Sequence, residues 1–182
     1  MTFQNTVRKE QAAGIIGEFA VDSPRRAEAF NIDVASDVDS TQVGRAYTFT
    51  ETLEGEFATV EVGSVQSSGQ TFAGIAIHPK AYALIGGVDG TLSPTLQLQP
   101  GQVAEFCRMG TIYVEIVNGA AQRGWQVGYQ ESDGEIFGID PAGAIPAGVV
   151  QIPGAQVVNA TNEDGLTIIE LTNITYQNTN TP

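Results

Sequence analysis

The chain has 182 residues, and its 8 basic and 21 acidic residues give a net charge of −13. This length suits one domain of ~100–200 residues, and the strong negative charge argues against a broad basic face for nucleic acid. No apolar run approaches the ~20 residues of a membrane-spanning helix, and the first four residues lack the basic and apolar regions of a signal peptide, so we expect a soluble protein with no membrane partner.

The composition favours strands over helices. Only 16% of the residues are charged, and 21 glycines accompany many valines and threonines. Such a mixture is typical of short strands joined by turns. The sequence therefore predicts an all-β fold, either an antiparallel β-barrel or a β-sandwich.

Residues 1–45 show no sustained hydrophobic period. Small apolar groups, such as Ile15-Ile16 and Phe19-Ala20-Val21, are separated by charges. Residues 1–30 hold four basic and four acidic residues, so the whole net charge falls in residues 31–182. A segment without a core of its own is expected to lie along its own domain, as a folded-back strand, or along a neighbouring molecule. We define residues 1–45 as an extended N-terminal arm.

The next group of predicted strands lies within residues 46–98. Ala46–Thr50 and Phe57–Val62 are rich in β-forming residues and flank an acidic turn at Glu51–Glu56. Thr71–Ile77 is almost continuously apolar, which predicts a strand buried on both faces. It ends at His78-Pro79, because proline cannot donate to a sheet ladder.

The most regular stretch runs from Pro100 to Ile139. Period-two alternation in residues 103–109 and 112–117 predicts two strands separated by Gly110. Turns at 118–124 and at Ser132-Asp133-Gly134 then predict further strands around Val127 and Ile136. The whole stretch is interpreted as a meander of antiparallel strands.

The last strands follow a Pro/Gly loop at residues 141–148. Val149–Ile152 and Ala155–Val158 are predicted as two short strands broken by Pro153-Gly154, and Asp164-Gly165 predicts the final hairpin. Leu166–Leu171 alternates and closes a β domain over residues 46–174. Residues 175–182 are predicted to be a polar C-terminal tail.

Residues suited to catalysis are scarce. His78 is the single histidine and Cys107 the single cysteine, so neither a zinc site nor an intrachain disulfide can be assembled from them. Cys107 is interpreted as a buried apolar side chain, compatible with a reducing compartment. The acidic pairs Asp37/Asp39 and Asp133/Glu135 are interpreted as turn residues. The sequence predicts no enzyme, no metal and no cofactor, and a hydrolase built on the acidic pairs is the weaker rival.

Aromatic residues offer a second alternative. Trp125 and Tyr129 share a predicted strand face and, with Tyr113, could form a stacking platform of a carbohydrate-binding β module. A large aromatic residue among apolar neighbours is more often part of a β core. We therefore favour a core position for Trp125 and Tyr129.

Four stretches, in order along the chain, resemble the structural cement, or head decoration, proteins of tailed bacteriophages. They are Gly14–Ala27, Gly44–Tyr47, Phe72–Tyr82 and Pro100–Glu105. The resemblance implies a virion protein, made in the bacterial host cytoplasm, that binds the outer surface of the major capsid protein shell. It also implies that the protein bridges capsomers, stabilises the expanded head and takes no cofactor.

The resemblance suggests which residues contact the capsid. The N-terminal segment would lie across neighbouring capsid subunits, and its apolar and basic residues would provide the contacts. The β domain would meet copies of itself as a dimer or trimer around a local symmetry axis. The expected capsid contacts are Ile16, Phe19, Pro24, Arg25 and Arg26.

Overall fold

The computed structural model describes residues 14–22, 24–36, 40–54, 57–63, 72–78, 97–160 and 165–172. Within these ranges all regular secondary structure is β, which confirms the predicted all-β class, and none of these residues forms a helix that could cross a membrane. The strands are β1 (Arg26–Ile32), β2 (Ala46–Glu54), β3 (Phe57–Val62), β4 (Phe72–Ala76), β5 (Val103–Glu115), β6 (Gln126–Gln130), β7 (Ile136–Ile139), β8 (Val149–Asn159) and β9 (Leu166–Leu171).

The first half of the fold is a closed β-barrel. Its strand order is β1-β3-β2-β4-β5, and pairing between β1 and β5 closes the ring. The β1–β3 pair is parallel, whereas the other pairs are antiparallel. Of the two predicted architectures, the barrel is therefore observed. Its interior, called here the first core, is filled by buried side chains that include Phe30, Ile32, Tyr47, Val60, Ala73, Ala76, Ala104 and Phe106.

The second half is a sheet of order β5-β9-β8-β6-β7, which shares β5 with the barrel. A parallel bridge between Ile116 and Ile136 joins the outer strand β7 to the residue that directly follows β5. The Asn118 side chain also exchanges two hydrogen bonds with the backbone of Gly138 at 2.8 and 3.0 Å. The edge of β7 is thereby covered, as exposed strand edges in native proteins often are. The second core, behind this sheet, includes Phe72, Ile75, Cys107, Ile112, Val114, Val127, Tyr129, Ile152 and Ile169.

A β-bulge allows β5 to line both cores. In the ladder with β1, Arg26 pairs with Met109 and Ala27 pairs with Cys107, so Arg108 is the extra residue. Phe106, Cys107 and Arg108 are consequently buried in succession. Phe106 faces the first core, while Cys107 faces the second core.

The prediction of two strands separated by Gly110 was wrong. β5 continues through this residue for 13 residues, and Gly110 adopts a φ of 122° inside the strand. The meander was also wrong for this strand, because β5 pairs with β1, β4 and β9. Within the predicted meander, the hairpin of β6 and β7 was placed correctly.

Strand β4 lies between the two cores and is buried on both faces, and its apolar sequence predicted this burial. All five of its residues are buried. Phe72 and Ile75 belong to the second core, whereas Ala73 and Ala76 belong to the first. A register shift in the β2–β4 ladder interrupts the alternation at Ala73, so the strand supplies large side chains to one core and small ones to the other.

Two further predictions concern the C-terminal strands. β8 is one strand of 11 residues, not two, and Pro153-Gly154 lies inside it as an irregularity. β9 matches its prediction, since Thr167, Ile169 and Leu171 are buried. The predicted tail at residues 175–182 lies outside the described residues.

The structure does not show an extended arm over the described part of residues 1–45. Residues 26–32 form barrel strand β1, and Phe19 makes a bridge with Ile112 of β5. The β domain therefore begins well before residue 46, and residues 1–13 lie outside the described residues. Because β1 closes the barrel, the folded-back strand is the alternative that the described residues show.

Candidate functional site

Four of the five expected contact residues lie along one flank of β5. Gly17 N–H donates to Tyr113 O at 2.8 Å, Tyr113 N–H donates to Glu18 O at 2.9 Å, and Ala20 N–H donates to Thr111 O at 2.8 Å. This short ladder fixes the N-terminal segment along the strand. We call Phe19, Pro24, Arg25 and Arg26 the β5 flank.

Gly14 and Gly17 explain why the segment can approach so closely. A Cβ at Gly14 would lie 2.4 Å from the Tyr113 ring. Gly17 has a φ of 81°, and its carbonyl accepts a hydrogen bond from the backbone N–H of His78 at 2.9 Å. Larger residues at these positions would push the segment off β5.

Phe19 and Arg25 form a pair on this flank. The Phe19 side chain is half-buried against the second core, and the Arg25 guanidinium lies over its ring at 4.8 Å from the centroid. Gly110 makes room for the pair, because a Cβ there would lie 3.1 Å from the Cβ of Arg25. The flank therefore presents a cation that is held by an aromatic ring.

The remaining residues of the flank are more open to solvent. Pro24 and Arg25 are exposed, and Arg26 is half-buried with its Nε 3.1 Å from Glu28 Oε1. Arg25 and Arg26 stand beside each other on a protein whose overall charge is strongly negative. This is an arrangement suited to an acidic partner surface.

Ile16 lies apart from the flank, in a separate cleft. The cleft has a volume of about 60 Å³, and its walls also include Val43, Val117 and Glu115. Across it, Arg45 Nη2 lies 3.1 Å from Glu135 Oε1. The structure thus brings Phe19, Pro24, Arg25 and Arg26 together and places Ile16 near the other end of the same stretch of β5.

Sequence reasoning missed one exposed surface, the loop of residues 140–148. Every residue of this loop is exposed, and Ile145 is 49% exposed. The loop is nevertheless fixed by hydrogen bonds, from Gly143 N–H to Asp140 O at 2.9 Å and from Glu131 N–H to Gly148 O at 2.9 Å. Its sequence is charged only at Asp140, so the loop exposes a surface of low charge.

The aromatic platform of the carbohydrate-binding alternative is not formed. Tyr129 is completely buried, and its ring stacks on Phe72 with centroids 6.0 Å apart. Trp125 is partly buried against the second core. Tyr129 lies in the second core and Trp125 packs against that core, as the sequence favoured, so Tyr129 cannot present an exposed face to a sugar.

The polar residues considered for chemistry have structural roles. Asp133 Oδ1 accepts a hydrogen bond from Glu135 N–H at 3.0 Å, which is a turn contact, while Asp37 and Asp39 lie outside the described residues. Burial raises the pKa of the Cys107 thiol from 9.0 to about 12, so the thiolate form is suppressed. Among the described residues no group of three or more His, Cys, Asp or Glu side chains could hold a metal ion.

Comparison with known proteins agrees with the resemblance seen in the sequence. The family model of the structural cement protein (E217 gp24/Pam3 gp6) matches residues 3–172. A chain in the capsid of Myoviridae phage XM1 has a similar fold, with a TM-score of 0.63 and 20% identity, over 94% of this chain and 98% of that chain. The head fiber gp8.5 N base of bacteriophage phi29 gives a TM-score of 0.45 and 10% identity, over 82% of this chain and 96% of that chain. Comparison with curated proteins gave no match. The match over residues 3–172 shows that this chain belongs to the phage structural cement protein family, with a structural role in the phage capsid.

Proposed function

We propose that this cement protein binds the outer surface of the major capsid protein shell, bridges neighbouring capsomers and stabilises the expanded head. The observation that carries the proposal is the family match over residues 3–172. The work of such a protein is adhesion, and it needs neither a cofactor nor a reactive group. It acts as a structural protein of the virion, made in the host cytoplasm.

The β5 flank is proposed as the capsid contact. Its side chains are positioned before binding, because the segment is hydrogen bonded to β5 and Arg25 rests on Phe19. Preformed contacts lose less conformational entropy on association than a disordered segment would. Arg25 and Arg26 would meet acidic groups of the shell, and Pro24 and Phe19 would add apolar contact. Ile16 would contribute a separate apolar contact at its cleft.

Copies of the protein are proposed to meet one another on the shell as a dimer or trimer. Two chains of charge −13 repel each other, and this repulsion is weakest where their facing surfaces carry little charge. The loop at residues 140–148 is such a surface, with Ile145 exposed. Many modest contacts on one shell add through multivalency, so each contact can be weak.

The decisive test is binding to purified expanded heads that lack the cement protein. Deletion of residues 1–30 would remove most of β1 and open the barrel, so point substitutions are required. We expect the double variant Arg25→Ala, Arg26→Ala to bind at least ~10-fold more weakly, which corresponds to about 1.4 kcal/mol. Occupancy is measured by co-sedimentation over a range of protein concentrations.

Arg123→Ala is the matched control, because Arg123 is an exposed cation in the turn before β6. It should bind like the wild type. If the double variant also retains full occupancy while its unfolding midpoint is unchanged, the β5 flank is not the anchor. If the wild-type protein itself fails to bind expanded heads, the proposed function is wrong.

A further inference from the structure

The turn that follows β5 carries a chemically labile dipeptide. Asn118 is the one asparagine of the sequence that stands directly before a glycine, Gly119. Both residues are exposed, and Gly119 has a φ of 102° with nothing within 4 Å of its Cβ position. Asparagine is a thermolabile residue, and the missing side chain of the next residue leaves the backbone nitrogen open to reaction with it.

The side chain of Asn118 is at the same time a structural contact. Its Nδ2 donates to Gly138 O at 2.8 Å, and its Oδ1 accepts from Gly138 N–H at 3.0 Å. Two residues earlier, Ile116 forms the parallel bridge with Ile136, so the amide of Asn118 continues that register along β7. We call these two hydrogen bonds the β7 clamp. The clamp needs a side chain that is both donor and acceptor, which an amide is and a carboxylate is not.

Deamidation of Asn118 would use the atoms of the clamp. The backbone nitrogen of Gly119 attacks Asn118 Cγ, the new N–Cγ bond closes a succinimide ring, and the Cγ–Nδ2 bond breaks. The amide proton of Gly119 leaves with Nδ2 as ammonia. Water then opens the ring at either carbonyl carbon and leaves aspartate or isoaspartate at position 118. Nothing is oxidised or reduced, and water is the co-reactant.

We propose that Asn118 is the primary deamidation site of the protein and that its reaction permanently opens the β7 clamp. While the clamp is closed, Nδ2 and Oδ1 are held against Gly138, so attack by the Gly119 nitrogen requires the clamp to open. Two hydrogen bonds at an exposed turn open in a local fluctuation, without unfolding of the barrel. Each opening exposes Cγ to attack, and the product cannot close the clamp again.

The product differs from asparagine in charge and in hydrogen bonding. A carboxylate has no proton to donate to Gly138 O, and Gly138 is buried, so its carbonyl loses the side-chain donor. Isoaspartate also lengthens the backbone by one carbon atom and displaces the side chain. The outer edge of β7, which the clamp covers, is then open to pairing with other chains. The proposal does not depend on capsid binding.

Peptide mass mapping of the full-length protein during incubation at pH 9 tests the site. We expect Asn118 to deamidate at least ~3-fold faster than Asn159, an exposed asparagine that precedes Ala160. Gly119→Ala should slow the reaction at Asn118 by at least ~3-fold, because the added methyl group hinders the attack. Equal rates at Asn118 and Asn159 in the wild type would overturn the assignment of the site.

The protective effect of the clamp is tested by comparing folded and urea-unfolded wild-type protein. The reaction at Asn118 should be at least ~3-fold slower in the folded protein, because the clamp must open first. Equal rates in the two states would show that the clamp does not control the reaction.

Hydrogen exchange of the Gly138 amide, followed by NMR, reports on the clamp itself. The variant Asn118→Asp provides the carboxylate without incubation. We expect its Gly138 amide to exchange at least ~10-fold faster than in the wild type, with unchanged exchange in β9. Asn159→Asp is the matched control and should leave the Gly138 amide protected. A Gly138 amide as well protected in Asn118→Asp as in the wild type would overturn the claim that deamidation opens the clamp.

Discussion

The guanidinium of Arg25 lies 4.8 Å from the centroid of the Phe19 ring, and the two residues are joined across Gly110 of β5. The pair holds Phe19 and Arg25 together beside the middle of the shared strand. Because Arg25 is exposed, the attraction is partly screened by water. The pair thus serves to orient the cation more than to stabilise the fold.

A double-mutant cycle of Phe19→Leu and Arg25→Ala should give a coupling energy of about 0.5–1 kcal/mol. Each variant is unfolded in urea, and the free energies of unfolding are compared with the wild type and the double variant. The control cycle combines Phe19→Leu with Arg26→Ala. Arg26 pairs with Glu28, so this cycle should give no coupling energy. Zero coupling in the Arg25 cycle would contradict the ring contact.

Arg108 should be sensitive to truncation. It is 1% exposed, its Nη1 donates to Ala73 O at 3.1 Å, and its Nε lies 3.8 Å from Glu28 Oε2. We expect Arg108→Ala to lower the free energy of unfolding by about 3 kcal/mol, because it leaves a cavity and an unpaired carbonyl in the barrel. Arg108→Met fills more of the volume and should lower the free energy of unfolding by less. The Glu28 carboxylate loses its partner in this variant, but it is partly exposed and can be hydrated. An alanine variant as stable as the methionine variant would rule out this packing role.

The stability of the protein should fall in alkaline solution. The pKa of Cys107 is raised by burial from 9.0 to about 12, so between these values the unfolded chain loses a proton that the folded chain keeps. The free energy of unfolding then decreases as the pH rises, by ~1.4 kcal/mol per pH unit from this residue.

The measurement for Cys107 compares the wild type with Cys107→Ala from pH 8 to pH 11. Other groups titrate in both proteins, so the difference between the two slopes isolates the thiol. A thiol reagent at pH 8 should react with the wild type only after addition of denaturant. Rapid reaction of the folded protein would show that the thiol is accessible.

Gly74 of β4 should not tolerate a side chain. A Cβ there would lie 2.8 Å from the carbonyl oxygen of Cys107, and its φ is 152°. We expect Gly74→Ala to lower the free energy of unfolding by more than ~2 kcal/mol, because the backbones of β4 and β5 would have to separate. Gly119→Ala is the control, since it also has a positive φ but nothing lies within 4 Å of its Cβ position. Backbone strain alone should cost it ~1 kcal/mol. If circular dichroism melts show equal losses of stability for Gly74→Ala and Gly119→Ala, the close approach of β4 to β5 is not the cause.

Ile145→Asp should weaken contacts between copies, because it places a charge in the loop at residues 140–148. Ile145 is 49% exposed, and Ile15, at 48%, provides a control of the same type and exposure in a different surface. We expect analytical ultracentrifugation to show at least ~10-fold weaker self-association of Ile145→Asp and no change for Ile15→Asp. Equal self-association of the two variants would show that the loop is not the contact.

Local pattern predicted the strands well and their partners poorly. β4 and β9 were recognisable because runs of apolar residues and strict alternation reflect burial directly. The partners of β5 depend on contacts between residues distant in sequence, which periodicity does not encode. Gly110 resembled a break because glycine is common in turns, yet here it makes room for Arg25.

The candidate site was only partly accessible from sequence. The pair Arg25-Arg26 was visible as a basic dipeptide, but nothing local showed that Arg25 would rest on Phe19, six residues earlier. The short apolar groups of the N-terminal segment suggested an arm because a few residues cannot form a core. In the structure, such residues pack into a core together with side chains of other strands. Phe30 and Ile32, for example, lie inside the barrel.

Strand β5 is one uninterrupted backbone shared by the barrel and the second sheet. A pull on either half would therefore be transmitted through the covalent backbone of β5 and through the hydrogen-bonded ladders on its edges. Where such a force runs along the strands, many hydrogen bonds share it, so we expect the two halves to resist being pulled apart as one unit.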